Sequence, residues 1–131
     1  MIGLDTNVLV RYLTQDDPTQ ARKANRLIEE AAAQGERLHI DVIVLCELVW
    51  VLGGAYGFDR QTMTSSLQKM LEVSQFSFED KDLVRAALLE YARGKGDLAD
   101  YLLGARGRQL GCQRTVTFDR ALKSSELFSV L

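Results

Sequence analysis

Short apolar segments alternate with longer stretches of helical periodicity along the whole chain, and this alternation is the strongest constraint on its fold. Met1 to Asp5 reads as an apolar strand. Thr6 to Leu13 follows as a helix, with Val8, Leu9, Tyr12 and Leu13 at helical spacing. Asp17 and Pro18 supply a cap and a first helical position for a helix through Ala21, Ala24, Leu27, Ile28 and Ala31, stopped at Gly35. Arg37 to Asp41 is a second strand, and Val42 to Leu52 a nearly all-apolar helix closed by Gly53 and Gly54. Asp59 caps a helix that points Met63, Leu67, Met70 and Leu71 inward. Val73 to Phe78 is a third strand, followed by Asp80 and a helix carrying Leu83, Ala87, Leu88 and Tyr91, ended by Gly94 and Gly96. Asp97 opens another helix through Leu103. Arg114 to Phe118 is a β-branched strand ending at Asp119, and Phe128 to Leu131 a last one. Strands separated by helical crossovers make an α/β fold with a mainly parallel sheet. In such sheets ligands bind outside the carboxyl ends of the strands, and both Asp5 and Asp119 stand at such ends.

The 131 residues carry one Pro, no repeat and no Ser/Gly-rich linker, so a single domain spanning 1–131 is expected. The longest apolar run, Val42 to Val51, is broken by Glu47 and falls short of the roughly 20 residues of a membrane span, so no membrane segment is expected. MIGLDTNVLV lacks the layout of a secretory leader, which points to the cytoplasm. Cys46 and Cys112 lie far apart in apolar or strand-like surroundings and are expected as buried thiols rather than a disulfide or metal site. A net charge of −2 and a pI near 5.4 argue against binding nucleic acid by general basicity. They do not exclude RNA, because acids gathered around divalent ions leave the remaining surface more positive than the total.

Glu47 is the only charged residue among Val42 to Leu52. An ionised carboxylate buried on so apolar a helix costs several kcal/mol unless a cation or donors offset it. A metal ligand is the favoured reading, against an Arg partner or a tilt towards solvent. Asp5, between Leu4 and Thr6, and Asp119, after Phe118, each have helix capping as the ordinary alternative. Asp97 and Asp100, three residues apart, share one face in the first turn of their helix. Asp97 is the natural cap. Asp100, one turn in among largely apolar neighbours, is explained less well by capping and is favoured as a ligand. Together these acids repel one another unless cations offset them, and oxygen-only sites suit Mg²⁺ or Mn²⁺ and phosphodiester hydrolysis.

DTNVLVRYL at the start, the later CEL, the DLADYLLGA helix and the terminal TVTFD together resemble the PIN-domain pattern over essentially the whole chain. The resemblance implies a three-layer α/β/α domain with a mainly parallel central sheet of four to five strands. It implies that Asp5, Glu47, Asp100 and Asp119 hold one or two Mg²⁺ or Mn²⁺ ions for RNA cleavage, with Asp97 a further acid and Thr6, Asn7 and Thr117 as polar supports. In its length and plain form the chain looks most like the VapC group, toxins of type II toxin–antitoxin pairs. That likeness implies an RNA substrate, a small antitoxin protein as partner and a homodimer.

Other features have plainer readings. His39, the sole histidine, lies in a strand, and Gly94-Lys95-Gly96 lacks phosphate-loop spacing. Arg11, Arg93, Lys95, Arg106, Arg108, Arg114 and Arg120 suggest a basic rim for RNA phosphates, with solvated surface charge as the default. Tyr12, Trp50 and Tyr101 sit at helical spacing among aliphatics and are read as core or dimer interface. The competing functions are a catalytically silent PIN-like scaffold and a Mg-binding regulatory module. The latter wants adjacent acids near the first strand, where Asp5 is followed by Thr6 and Asn7. A phosphatase with an aspartyl nucleophile wants a second Asp at the position of Asn7.

Overall fold

A computed structural model describes all residues Met1–Leu131. The chain divides into two compact units, Met1–Glu79 and Asp80–Leu131. No helix is long and apolar enough to cross a membrane.

The first unit runs β1 (Ile2–Gly3), α1 (Thr6–Thr14), α2 (Pro18–Gln34), β2 (Leu38–Ile40), α3 (Val42–Gly54), α4 (Arg60–Glu72) and β3 (Phe76–Phe78). Its strands pair in parallel in the order β1–β2–β3, with Ile2 opposite Leu38 and Leu38 opposite Phe76. Parallel pairing requires crossovers, and α1 with α2, then α3 with α4, provide them. The core is the apolar face of each element: Leu9 and Val10 from α1, Ala21, Ala24 and Ile28 from α2, Leu45, Leu48 and Leu52 from α3, and Met63, Leu67 and Met70 from α4. Leu38, Ile40 and Phe76 complete it from the sheet, with Tyr12 edge-on to Phe76 at 5.9 Å between ring centres.

The second unit runs α5 (Lys81–Arg93), α6 (Leu98–Gln109), β4 (Thr115–Thr117), a 3₁₀ turn (Arg120–Leu122) and β5 (Phe128–Val130). β4 and β5 pair in parallel, Thr115 opposite Phe128. All five expected strands are therefore present and every pairing is parallel, with the hydrogen bonds gathering them as three and two. Leu83, Val84, Ala87 and Leu88 of α5 and Leu98, Tyr101 and Leu102 of α6 are buried, and the two helices pack along their length.

Every helical segment, the 3₁₀ turn included, is preceded by an Asp. Asp17, Asp41, Asp59, Asp80 and Asp119 each accept a backbone N–H of their own segment, from Gln20, Ile43, Thr62, Leu83 and Ala121 respectively, at 2.8–3.0 Å. Each such bond satisfies an orphan donor of the first turn and is worth about 1 kcal/mol. Asp41 thus belongs to the start of α3 rather than to the second strand. Gly53 and Gly54 lie inside the last turn of α3, which ends at Ala55. Gly35 ends α2 in the left-handed conformation (φ 68°) that a side chain disfavours, and its N–H returns to Ala31 and Ala32.

Candidate functional site

Asp5 follows β1 directly and holds the capping position of α1 with extended backbone, yet it accepts no N–H from that helix. Unlike Asp17, Asp41, Asp59, Asp80 and Asp119, it leaves its first turn uncapped by its side chain, and it is exposed. The capping alternative therefore does not account for Asp5. Beside it, Thr6 is 5% exposed and its hydroxyl is buried without any hydrogen-bond partner. A buried, unpaired hydroxyl costs about 1–3 kcal/mol, so the start of α1 keeps an unsatisfied polar group next to an uncommitted carboxylate.

Glu47 departs from expectation. It is exposed on α3, so the burial penalty argued from its apolar neighbours does not arise. The buried face of α3 is Leu45, Leu48, Val49 and Leu52, and Glu47 lies on the opposite stripe with Ile43 (69% exposed) and Trp50 (57% exposed). An all-apolar helix carries almost no signal of which side meets water, which is why spacing did not reveal this face. Trp50 is accordingly not core, whereas Tyr101 is fully buried. Cys46 is half-buried, its thiol pushed up by burial and by the Asp41 charge, while Cys112 is exposed rather than buried.

In the second unit α6 begins at a capping box in which Asp100 reaches back, its Oδ2 accepting the Asp97 N–H at 3.1 Å. Capping accounts for Asp100 better than its apolar neighbours suggested. The turn before it is shaped by Tyr101, whose hydroxyl accepts the Gly96 N–H at 3.0 Å. A Cβ at Gly94 would overlap that hydroxyl, and one at Gly96 would overlap the Leu122 methyl, so the two glycines make room for a buried tyrosine rather than for a phosphate. Asp119, exposed after β4, caps the 3₁₀ turn through Oδ1, and the Thr117 hydroxyl accepts the Asp119 N–H at 3.0 Å. Thr117 therefore supports the Asp119 backbone, whereas Asn7 is exposed with no side-chain partner.

Burial pushes the Asp100 carboxyl up, the Asp97 N–H opposes that, and the negative charges of Asp97 and Asp119 raise it further. In the second unit the carboxylates of Asp97 and Asp119 thus both act on that of Asp100. None of Asp5, Glu47, Asp97, Asp100 and Asp119 is in an ion pair.

In kind, the carboxylates of Asp97, Asp100 and Asp119 in the second unit suit a divalent cation. The acids are hard oxygen donors, they are free of protein cations, and the repulsion at Asp100 is what such an ion relieves. No three acid, histidine or cysteine side chains form a ready-made cage. Mg²⁺ commonly binds through one or two carboxylates, with waters and substrate phosphate completing the shell.

Among the basic residues proposed as a rim, Arg93 is paired with Glu90 at 2.8 Å, Arg108 donates to the Glu126 carbonyl, and the Arg106 charge adds to the Leu83 N–H and the Gln109 amide that hold the Asp80 carboxyl down. Arg11 is held by Asp16, Tyr56 and Gln20. Lys95, Arg114 and Arg120 remain exposed to solvent.

The PIN domain profile matches residues 2–125. The chain is also similar to a VapC ribonuclease of Aquifex aeolicus (strain VF5), with 28% identity over 120 residues that cover 92% of this chain and 88% of the relative.

Proposed function

Because the chain belongs to the PIN domain family, we propose that it is an endoribonuclease that hydrolyses RNA phosphodiester bonds, the toxin component of a type II toxin–antitoxin pair. One observation carries this reading: the family match, from residue 2 to 125, takes in Asp5, Glu47, Asp97, Asp100 and Asp119 alike. It also runs across both compact units, which supports their acting as one PIN domain. On this reading Asp5, Glu47, Asp100 and Asp119 are the catalytic carboxylates and the ligands of one or two Mg²⁺ or Mn²⁺ ions. Asp97 is a further acid beside them. When bound, such ions neutralise phosphate charge and lower the pKa of water.

The chain's own residues have separable tasks. Asp5 offers a carboxylate that its helix does not use, and Thr6 keeps an unpaired hydroxyl beside it. Asp100 is held in place by its bond from the Asp97 N–H, and Asp119 by the bond from the Ala121 N–H and the Thr117 hydroxyl behind its backbone. No side chain need attack phosphorus, since water is the nucleophile in hydrolysis. The partners on this reading are RNA, a small antitoxin and a second copy of the chain, and its place of work is the cytoplasm. Ile43 and Trp50, left exposed on α3, support a face that a protein covers.

The test is cleavage of a mixed RNA pool by the purified, partner-free chain with Mg²⁺ or Mn²⁺, beside an EDTA control and Asp5→Asn, with product ends mapped by sequencing. Cutting that vanishes in both controls is the expected result. Cutting that survives EDTA, or that Asp5→Asn leaves intact, overturns the reading.

A further inference from the structure

We infer that Tyr101 is a positioning residue for the acidic site: its buried hydroxyl fixes the turn from which Asp97 and Asp100 are presented, and the packing of that turn ties both to Asp119. The inference rests on the ribonuclease reading and adds to it a residue that is not one of its acids. Fully buried, Tyr101 can act only through its neighbours.

Gly96, just before Asp97, is flanked by two peptide planes. Its own N–H, in the first plane, donates to the Tyr101 hydroxyl at 3.0 Å in a buried bond, and the Asp97 N–H, in the second, donates to Asp100 Oδ2 at 3.1 Å. Together the two bonds orient both planes and so set the backbone angles of Gly96, which as a glycine has the widest choice of them. Both acceptors belong to the opening residues of α6, so the helix shapes the turn that leads into it. The Asp100 bond by itself orients only one plane. Without the hydroxyl the Gly96 backbone is free to rotate, the Asp97 N–H leaves its line with Asp100 Oδ2, and the two carboxylates lose their common geometry.

The glycines are required by close approach. A Cβ at Gly94 would overlap the Tyr101 hydroxyl, and one at Gly96 would overlap a Leu122 methyl and lie 3.2 Å from that same hydroxyl. The turn is thus wrapped around the tip of the tyrosine ring, with Leu122 against it. Leu122 is buried, and its N–H donates to the Asp119 carbonyl at 3.2 Å within the 3₁₀ turn that the Asp119 side chain caps. A shift at Gly96 is therefore felt at Leu122 and, through it, at Asp119. A phenylalanine would fill the same core volume; what the hydroxyl adds is the bond to this one backbone group. Residues that touch no metal but fix its ligands change metal affinity or activity by roughly ten- to a hundredfold.

The experiment compares the full chain with Tyr101→Phe and with a control, Val84→Ala, which removes buried volume at the end of α5 far from Gly94. Backbone amide resonances are followed without metal and then as Mg²⁺ is added, and RNA cleavage is measured at one fixed Mg²⁺ concentration. Without metal, Tyr101→Phe is expected to shift the amides of Asp97, Asp100 and Asp119. It should weaken Mg²⁺ binding about tenfold and lower kcat with KM for RNA unchanged. Val84→Ala should lower the unfolding midpoint and leave the Mg²⁺ affinity as it was. Unmoved Asp97, Asp100 and Asp119 amides in Tyr101→Phe, or an equal loss of Mg²⁺ affinity in Val84→Ala, overturns the inference. Should Tyr101→Phe not fold, hydrogen exchange in the unaltered chain decides: a Gly96 amide that exchanges only on global unfolding supports the inference, and one that exchanges at the rate of an open loop overturns it. The two readings fail separately. An unaltered chain that binds Mg²⁺ and cuts no RNA sinks the ribonuclease reading, with Tyr101 still judged by the amides and the Mg²⁺ affinity, whereas Tyr101→Phe that cuts RNA as the unaltered chain does sinks only the role of Tyr101.

Discussion

Asp16 in the first unit and Asp100 in the second are both acids at the edge of a helix, and their surroundings treat them in opposite ways. Asp16 receives the Tyr56 hydroxyl at 2.6 Å, the Thr14 hydroxyl at 2.8 Å and Arg11 at 3.0 Å. These donors, led by Tyr56, hold its carboxyl down to about 2. Asp100 receives one backbone N–H, is partly desolvated, and faces the charges of Asp97 and Asp119, so its carboxyl is pushed up. The chain has satisfied the first acid with three donors and left the second with one backbone N–H against two like charges.

The largest effect expected from breaking this contrast is on catalysis. Asp100→Asn should lower RNA cleavage by more than about a hundredfold, since even outer-shell partners of metal ligands cost ten- to a hundredfold. The same variant should not lower the thermal midpoint, because it removes a repelling charge and keeps an oxygen for the Asp97 N–H. Loss of fold with loss of activity would make Asp100 a structural acid like Asp16.

Thr6→Val sharpens the contrast at Asp5. Replacing the unpaired hydroxyl by a methyl of similar shape should stabilise the metal-free chain by about 1–3 kcal/mol in denaturant titration and reduce cleavage. A destabilised variant would show that the hydroxyl has a partner in solution.

Gly96→Ala crowds Leu122 and the Tyr101 ring before α6 and should cost about 1–3 kcal/mol by overpacking, read from the unfolding midpoint. An unchanged midpoint would mean that the turn holding Asp97 and Asp100 is not set by that packing.

The smallest effect concerns acid. A carboxyl lowered in the folded state contributes stability above its unfolded value that is lost as pH falls through the folded one. The Asp16 contribution should therefore fade between about pH 4 and about pH 2. Asp16→Asn should flatten that limb of the stability curve. Asp100 has the opposite sign, so lowering the pH through its raised range should weaken metal binding as protons compete for the carboxylate.

Much of the fold is legible in the sequence because its signals are local. The Asp17-Pro18 start, the Asp59 and Asp80 caps and the Gly35 stop depend on residues a turn apart, and each forms as the pattern implies. Asp41 escaped because it sits between a strand and an apolar run, although an Asp just before such a run is itself a capping signal. The exposure of Glu47 was hidden because Ile43 and Trp50 look as apolar as the buried Leu45 and Leu48, and only packing chooses between the faces. Tyr56 and Asp16 meet across 40 residues, a separation that no local pattern reports.

The sequence by itself determined the order of strands and helices, most of their starts, and that the sheet is mainly parallel. It could do so because caps, periodicity and crossovers are properties of neighbouring residues. The tertiary structure decided what each acid is free to do: that Asp119 caps while Asp5 does not, that Asp100 is pushed up while Asp16 is held down, and that Glu47 faces water. Those outcomes depend on which donors, charges and surfaces distant segments bring to a carboxylate, and hydrogen bonding and desolvation act only through that proximity.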